Sequence, residues 1–258
     1  MSLGNEKKQW GKRRWVILAG ALALGACGPA DSTPTEEKPA PRCETRAVGC
    51  GEQSIDKLRL RTVVSTGEIR EEGTVEGEFH TYVDGRAGGT DSPQSYTYAR
   101  FTKQGLERVP VDDQSALASG DWDIAFRRYV IRTNGGVSGP SCTTVAELPK
   151  GTRFETVTAV DGAWDFRAED YYSETCEFTG DEWGLGSPAT RTGTFWGYEG
   201  CLQMTGAVYV ARLADGRHVK LQVTAYYDPE PQKVCDATGS VPQPSGAAQF
   251  RVRWAFLP

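Results

Sequence analysis

The chain of 258 residues has few of the side chains that most site chemistry needs: two histidines, His80 and His218, and two methionines, Met1 and Met204. No Gly-x-Ser-x-Gly elbow, no His-Glu-x-x-His pair and no phosphate-cradling glycine loop is present, which removes the signatures of the common hydrolases, zinc proteases and nucleotide-binding folds. Cys-x-x-Cys pairs are also missing, so a zinc site has no ligand spacing to build on. No stretch of a dozen residues combines a 3.6-residue period with good helix formers. Positive charge is in the minority, with 29 Lys and Arg against 34 Asp and Glu, and the arginines are scattered, so nucleic acid is not an expected partner. Two adjacent acid pairs, Asp112-Asp113 and Glu169-Asp170, are the nearest approach to a glycosidase-type carboxylate couple. Neighbours on an extended chain face opposite ways, so these pairs do not make the chain an enzyme.

The N-terminal residues carry an address. Lys7, Lys8, Lys12, Arg13 and Arg14 precede an apolar run from Trp15 to Leu24, too short to cross a bilayer as a helix but suited to a secretory signal core. The run ends Leu-Gly-Ala-Cys, which resembles the lipobox of bacterial lipoproteins. Residues 1–26 then read as a signal peptide, and Cys27 as the lipidated mature N-terminus, with the membrane reached only through that lipid. The expected location is the bacterial cell envelope, on the outer membrane. Without residues 1–26 the chain keeps 24 basic and 33 acidic residues, a net charge of −9. Residues 28–42 contain four prolines and almost no large apolar side chain, so residues 27–53 are expected to form a solvated tether and residues 54–258 the folded domain.

With Cys27 assigned to lipid, Cys43, Cys50, Cys142, Cys176, Cys201 and Cys235 remain. An even number in an exported chain points to up to three disulfides, with Cys43–Cys50 the pair favoured by proximity and the other four forming two clips on the domain.

Thr, Val, Tyr, Trp and Gly dominate the domain, and alternation is frequent, so the expected fold is all-β, a single antiparallel β-domain. Strands are expected at 58–64, 75–83, 96–101, 154–160, 164–166, 195–201 and 249–256. The fourth and fifth would be joined by an Asp161-Gly162 hairpin turn. In 249–256, Phe250, Val252, Trp254 and Phe256 share one face. Residues 120–136 read as strand, bulge at Arg127-Arg128, strand and turn, with Trp122, Ile124 and Phe126 on one face. In 207–227 a two-residue Asp215-Gly216 turn would pair Arg212 with Val219, Val210 with Leu221 and Val208 with Val223 on the core face, leaving Tyr209, Ala211 and Leu213 opposite.

The stretch WDIAFRRYVIRTNGG (122–136) resembles the signature strand of the HmuY family of bacterial haem-binding surface lipoproteins. YVARLADGRHVKLQVTAYY (209–227) is similar to a second segment of the same family. The resemblance implies an all-β domain, export, and capture of haem or another small ligand for delivery to an outer-membrane receptor. A haem iron held on both sides needs two lone-pair donors across a flat apolar slot. The axial candidates are His80, Met204 and His218, with Tyr198, Tyr171-Tyr172 and Tyr226-Tyr227 as phenolate alternatives and Arg127-Arg128 as partners for propionates. None of the axial candidates maps onto a family ligand position. The alternative is a module of the same fold that meets a non-haem ligand or a protein.

Overall fold

The computed structural model describes residues 43–86 and 94–258; the signal segment, Cys27 and residues 28–42 lie outside it. In chain order the elements are α1 (Gly51–Lys57), β1 (Ile69–Val75), β2 (Glu78–Asp84), β3 (Thr97–Thr102), β4 (Gly105–Val109), α2 (Asp113–Ala116), β5 (Ile124–Arg127), β6 (Val130–Thr133), β7 (Thr144–Glu147), β8 (Trp196–Tyr198), β9 (Leu202–Met204), β10 (Tyr209–Arg212), β11 (His218–Ala225), α3 (Pro229–Thr238) and β12 (Gln249–Leu257). They form an antiparallel six-stranded sheet in the order β1-β2-β12-β11-β10-β7, a four-stranded sheet β4-β3-β5-β6 and a β8-β9 ribbon.

Alternation explains how the two large sheets pack. Phe79 and Val83 of β2, Val219, Leu221 and Val223 of β11, and Phe250, Val252 and Trp254 of β12 project to one side of the large sheet. There they meet Phe101, Ile124, Phe126 and Ile131 of the small one in the main core. Trp254 anchors it: the indole stacks on Phe79 at 4.2 Å, receives the edge contact of Phe101 at 4.9 Å, and donates its N–H to Thr81 Oγ1 at 2.8 Å. The other face of the small sheet holds a second cluster of Tyr96, Tyr98, Trp122, Ala125, Val130, Tyr171 and Tyr172. A satellite cluster, Phe154 and Val157 on Val208, Val210 and Leu257, covers part of the outer face of the large sheet.

Strand 249–256 is β12, as alternation indicates. Other segments differ. Residues 58–64 form no strand: Leu58 and Leu60 are buried in the second cluster, while Val63 and Val64 are exposed. Residues 75–83 contain a turn at Glu76-Gly77, both at positive φ, which separates β1 from β2 and leaves Val75 in solvent. Phe154–Thr156 is a 3₁₀ turn, and the segment through 166 is a loop that covers the sheet instead of a hairpin about Asp161-Gly162. Arg127-Arg128 is a hairpin corner rather than a bulge: β5 pairs with β6 through Arg127 and Val130, and Arg128 turns the chain at φ 53°. Trp122 precedes β5 and packs in the second cluster, whereas Ile124 and Phe126 face the main core.

The hairpin at 215–216 is offset by one residue from expectation. Arg212 pairs with His218, Ala211 with Val219 and Tyr209 with Leu221. The loop has three residues, Ala214 to Gly216. It is closed by Leu213 N–H to the Arg217 carbonyl (2.8 Å) and Gly216 N–H to the Leu213 carbonyl (3.0 Å), with Gly216 at φ 85°. Tyr209, Ala211 and Leu213 therefore line the main core, and Val208 and Val210 are buried on the opposite face under Phe154.

All six cysteines are paired, as Cys43–Cys142, Cys50–Cys176 and Cys201–Cys235. The local Cys43–Cys50 pairing is thus incorrect. Residues 43–53, assigned to the tether by composition, are instead stapled to the domain, and Cys43 N–H and Arg46 N–H donate to the carbonyls of Ala214 and Pro140. Three short helices were not apparent from periodicity. α3 bears the usual end signals, Pro229 in its first turn and Gly239 at φ 68° after its last. Its Gln232 accepts the N–H groups of Tyr226 and Tyr227 and donates to the Leu202 carbonyl.

Candidate ligand-binding site

The three axial candidates do not converge. His80, on the outer face of β2, pairs with Glu78 at 3.1 Å and lies across from Arg253 of β12. His218 opens β11 on the same outer face, edge-on to the Phe166 ring at 5.7 Å. Burial first, and the Arg212 charge second, lower its pKa. Arg253 pairs with Gln222 on β11, so the two histidines are two strands and four residues apart, about 16 Å at ordinary sheet spacings. Met204 sits opposite Trp196 on the β8–β9 ribbon and packs against the main core, on the other side of the large sheet. Burial raises the phenols of Tyr171, Tyr172, Tyr226 and Tyr227, which disfavours phenolate at each, while Tyr198 is exposed. Among the described residues, no group of three or more His, Cys, Asp or Glu is arranged to hold a metal. The residues present do not fit a haem iron ligated from both sides.

A different constellation is assembled. Lys57 ends α1, Arg59 and Arg61 follow it, and Arg127 and Arg128 form the β5–β6 corner; with Tyr96, Tyr129, Leu185 and Pro188 they line a cleft of about 280 Å³ that contains no acidic residue. Lys57, Arg59 and Arg61 have no ion-pair partner among the described residues, and like charges gathered this closely favour an incoming anion. Sequence reasoning singled out Arg127-Arg128 alone. Of the other three cations, Arg59 and Arg61 come from a segment expected to be a strand, and Lys57 immediately precedes it.

The floor of the cleft is rigid. Arg127 lies over the Tyr96 ring with its guanidinium carbon 4.0 Å from the centroid, and Arg132 contacts the same ring at 4.3 Å. Arg127 donates to the carbonyl of Leu58 and, at 3.2 Å, to the carboxylate of Asp113. That carboxylate is fully buried and also accepts from Arg61 N–H (2.9 Å), Tyr96 N–H (2.8 Å) and the Tyr98 hydroxyl (2.8 Å). Tyr98 in turn accepts from Arg132 at 2.8 Å, and burial holds its own pKa well above the usual phenol range. The Asp112-Asp113 pair thus has two structural duties: Asp112 caps α2 by accepting from Gln114 and Ser115 N–H, and Asp113 neutralises the arginines behind the cleft.

Beyond the cleft runs an aromatic ledge. Tyr129 packs on Trp196 at 5.7 Å, and Trp196 on Trp183 at 5.6 Å with planes 31° apart. Trp196 is itself buried in the main core and backs the ledge, while Trp183 and Leu185 project into solvent, 39% and 46% exposed. The strap that carries them is fastened at its base by Glu169, whose buried carboxyl accepts Thr133 N–H and hydroxyl on one oxygen and Arg191 N–H on the other. It is fastened again by Cys50–Cys176. A flat apolar body with a carboxylate edge matches the adjoining ledge and cations. A second cavity, of about 640 Å³, opens between the stapled 43–47 segment and the 136–144 loop.

Among solved structures, a proposed HmuY-like heme-binding protein of Bacteroides vulgatus ATCC 8482 is 16% identical over 73% of this chain and 97% of its own, with a TM-score of 0.45. A proposed lipoprotein of Bacteroides fragilis NCTC 9343 is 12% identical over 72% and 94%, with a TM-score of 0.44. The apo HmuY analog of Tannerella forsythia is 15% identical over 76% and 98%, with a TM-score of 0.40. No curated protein sequence matches the chain. The model of the HmuY protein family matches residues 92–238, more than half of the sequence and including both segments whose likeness was noted above. On that match, the chain belongs to the HmuY family.

Proposed function

We propose that this protein is a lipid-anchored envelope protein that captures haem or a related porphyrin in the basic cleft and passes it to an outer-membrane receptor. The observation that carries this reading is the meeting of five cationic side chains and Tyr129 with the exposed Leu185 and Trp183, which suits a flat apolar ring bearing carboxylates. Membership of the HmuY family supports it. Anchoring rests on the lipobox ending at Cys27; among the described residues no helix is long and apolar enough to cross a membrane. Labelled palmitate is expected to enter the full chain and to be lost in Cys27→Ser, and an unlabelled wild type refutes the anchor.

Haemin titration followed by tryptophan quenching tests the ligand. Saturable binding is expected, weakened at least about tenfold, or about 1.4 kcal/mol, when Lys57→Glu and Arg128→Glu are combined. No binding, or binding indifferent to both changes, refutes the cleft. The separation of His80, His218 and Met204 favours a second reading, a non-haem anion in the same cleft. That reading is distinguished by cleft-dependent binding of another carboxylate ligand where haemin fails.

A further inference from the structure

Resting on the reading of the basic cleft as a porphyrin site, we infer that recognition is indifferent to the central metal: the protein grips the carboxylate edge and the ring face, and its ligand class is the tetrapyrrole carboxylates, metallated or not.

Three observations lead here. First, the donors that would make iron matter are dispersed: His80 and His218 stand about 16 Å apart on the outer face of the large sheet. Met204 packs on the opposite side of that sheet against the main core. None of the three lines the cleft. Second, the cleft supplies what a carboxylate edge needs. Its arginine floor is held in place before any ligand arrives, because Arg127 is fixed by the Tyr96 ring, the Leu58 carbonyl and the Asp113 carboxylate. Lys57, Arg59 and Arg61 stand at the rim without ion-pair partners among the described residues. Third, about 280 Å³ is too small for a whole macrocycle but suits its carboxylate edge. The ring would continue over Leu185 and Trp183, which are exposed, with Trp183 backed by the buried Trp196; stacking on Trp183 depends on the π face and not on the metal. Affinity would then divide between charge in the cleft and stacking on the ledge, and neither changes when iron is removed.

The test is a parallel tryptophan-quenching titration of the full chain with haemin, metal-free protoporphyrin IX and protoporphyrin IX dimethyl ester. It is repeated on the triple variant His80→Gln, His218→Gln, Met204→Leu and on Trp183→Ala. Haemin and protoporphyrin IX are expected to bind within about threefold of each other in the wild type and in the triple variant. The dimethyl ester should bind at least tenfold more weakly, and Trp183→Ala should weaken both acids equally. Haemin binding tenfold or more tighter than protoporphyrin IX, or lost in the triple variant, overturns the inference while leaving a porphyrin site in place. Absence of binding by every porphyrin overturns the underlying reading as well.

Discussion

Asp113→Asn changes one atom, and the structure assigns it a large cost. The carboxylate is fully buried and accepts four hydrogen bonds: Tyr96 N–H and the Tyr98 hydroxyl on Oδ1, and Arg61 N–H and Arg127 Nη1 on Oδ2. An amide keeps the shape but turns one oxygen into a donor, so whichever way it is oriented, two donors face an N–H. The negative charge beside Arg127, and behind the Tyr98 link to Arg132, is lost as well. Removing one partner of a buried ion pair costs about 3–5 kcal/mol. With a urea slope of about 3 kcal/mol per molar, the upper end of the usual range, the unfolding midpoint should fall by about 1–2 M. Asp112→Asn is the internal control: that side chain is a partly exposed helix cap, and Asn caps about as well, so the change costs about 1 kcal/mol or less. Tyr98→Phe should cost less than Asp113→Asn. The double variant should fall short of the sum, because both changes break one network. If Asp113→Asn unfolds within 0.5 M of Asp112→Asn, roughly 1.5 kcal/mol at that slope, the buried carboxylate does not hold the arginine floor and the rigidity argued for the cleft fails with it.

Further outcomes follow from the same reasoning. Burial outweighs the hydrogen bonds that Glu169 accepts from Arg191 and Thr133 and pushes its pKa up to about 7 from 4.5. A carboxyl raised in the folded state favours folding fully below about pH 4.5 and loses that contribution as pH rises to about 7, about 3 kcal/mol in all. In urea titrations, Glu169→Gln should flatten this decline, and an unchanged profile refutes it. Cys142 is exposed while Cys201 and Cys235 are buried, so mass mapping during mild reduction should show Cys43–Cys142 opening first and Cys201–Cys235 last. Loss of Cys50–Cys176 by double Ser substitution should cost about 5 kcal/mol by loop entropy, against about 4 for Cys201–Cys235 with its shorter span of 34 residues. Equal midpoints would count against that ordering. Trp254→Ala should lower stability by about 3–5 kcal/mol in equilibrium unfolding, since the indole is fully buried against Phe79 and Phe101; a loss under 1 kcal/mol would contradict the packing.

Alternation is informative only where one face of a strand is wet, and this limits what the sequence can say. β12 alternates Phe250, Val252 and Trp254 with Arg251 and Arg253, and its inner face can be read directly. β10 cannot be read that way, because the loop through Phe154 and Val157 buries its outer side. Val208 and Val210 are as apolar as Tyr209, Ala211 and Leu213, so the register turns on whether the loop has two residues or three, a difference Asp215-Gly216 does not reveal. The cleft was harder to foresee for a related reason: its cations come from residues 57–61 and 127–128, and its far wall from 185–188. A cystine joins two of these segments. Cys50 immediately precedes the helix that ends at Lys57, and Cys176 lies in the strap that reaches Leu185, so the 50–176 bond sets Lys57, Arg59 and Arg61 opposite the ledge. Counting cysteines establishes that such bonds exist, but only their connectivity says which charges meet. A disulfide whose ends are 126 positions apart therefore shapes the basic cleft as much as it serves the stability of the domain.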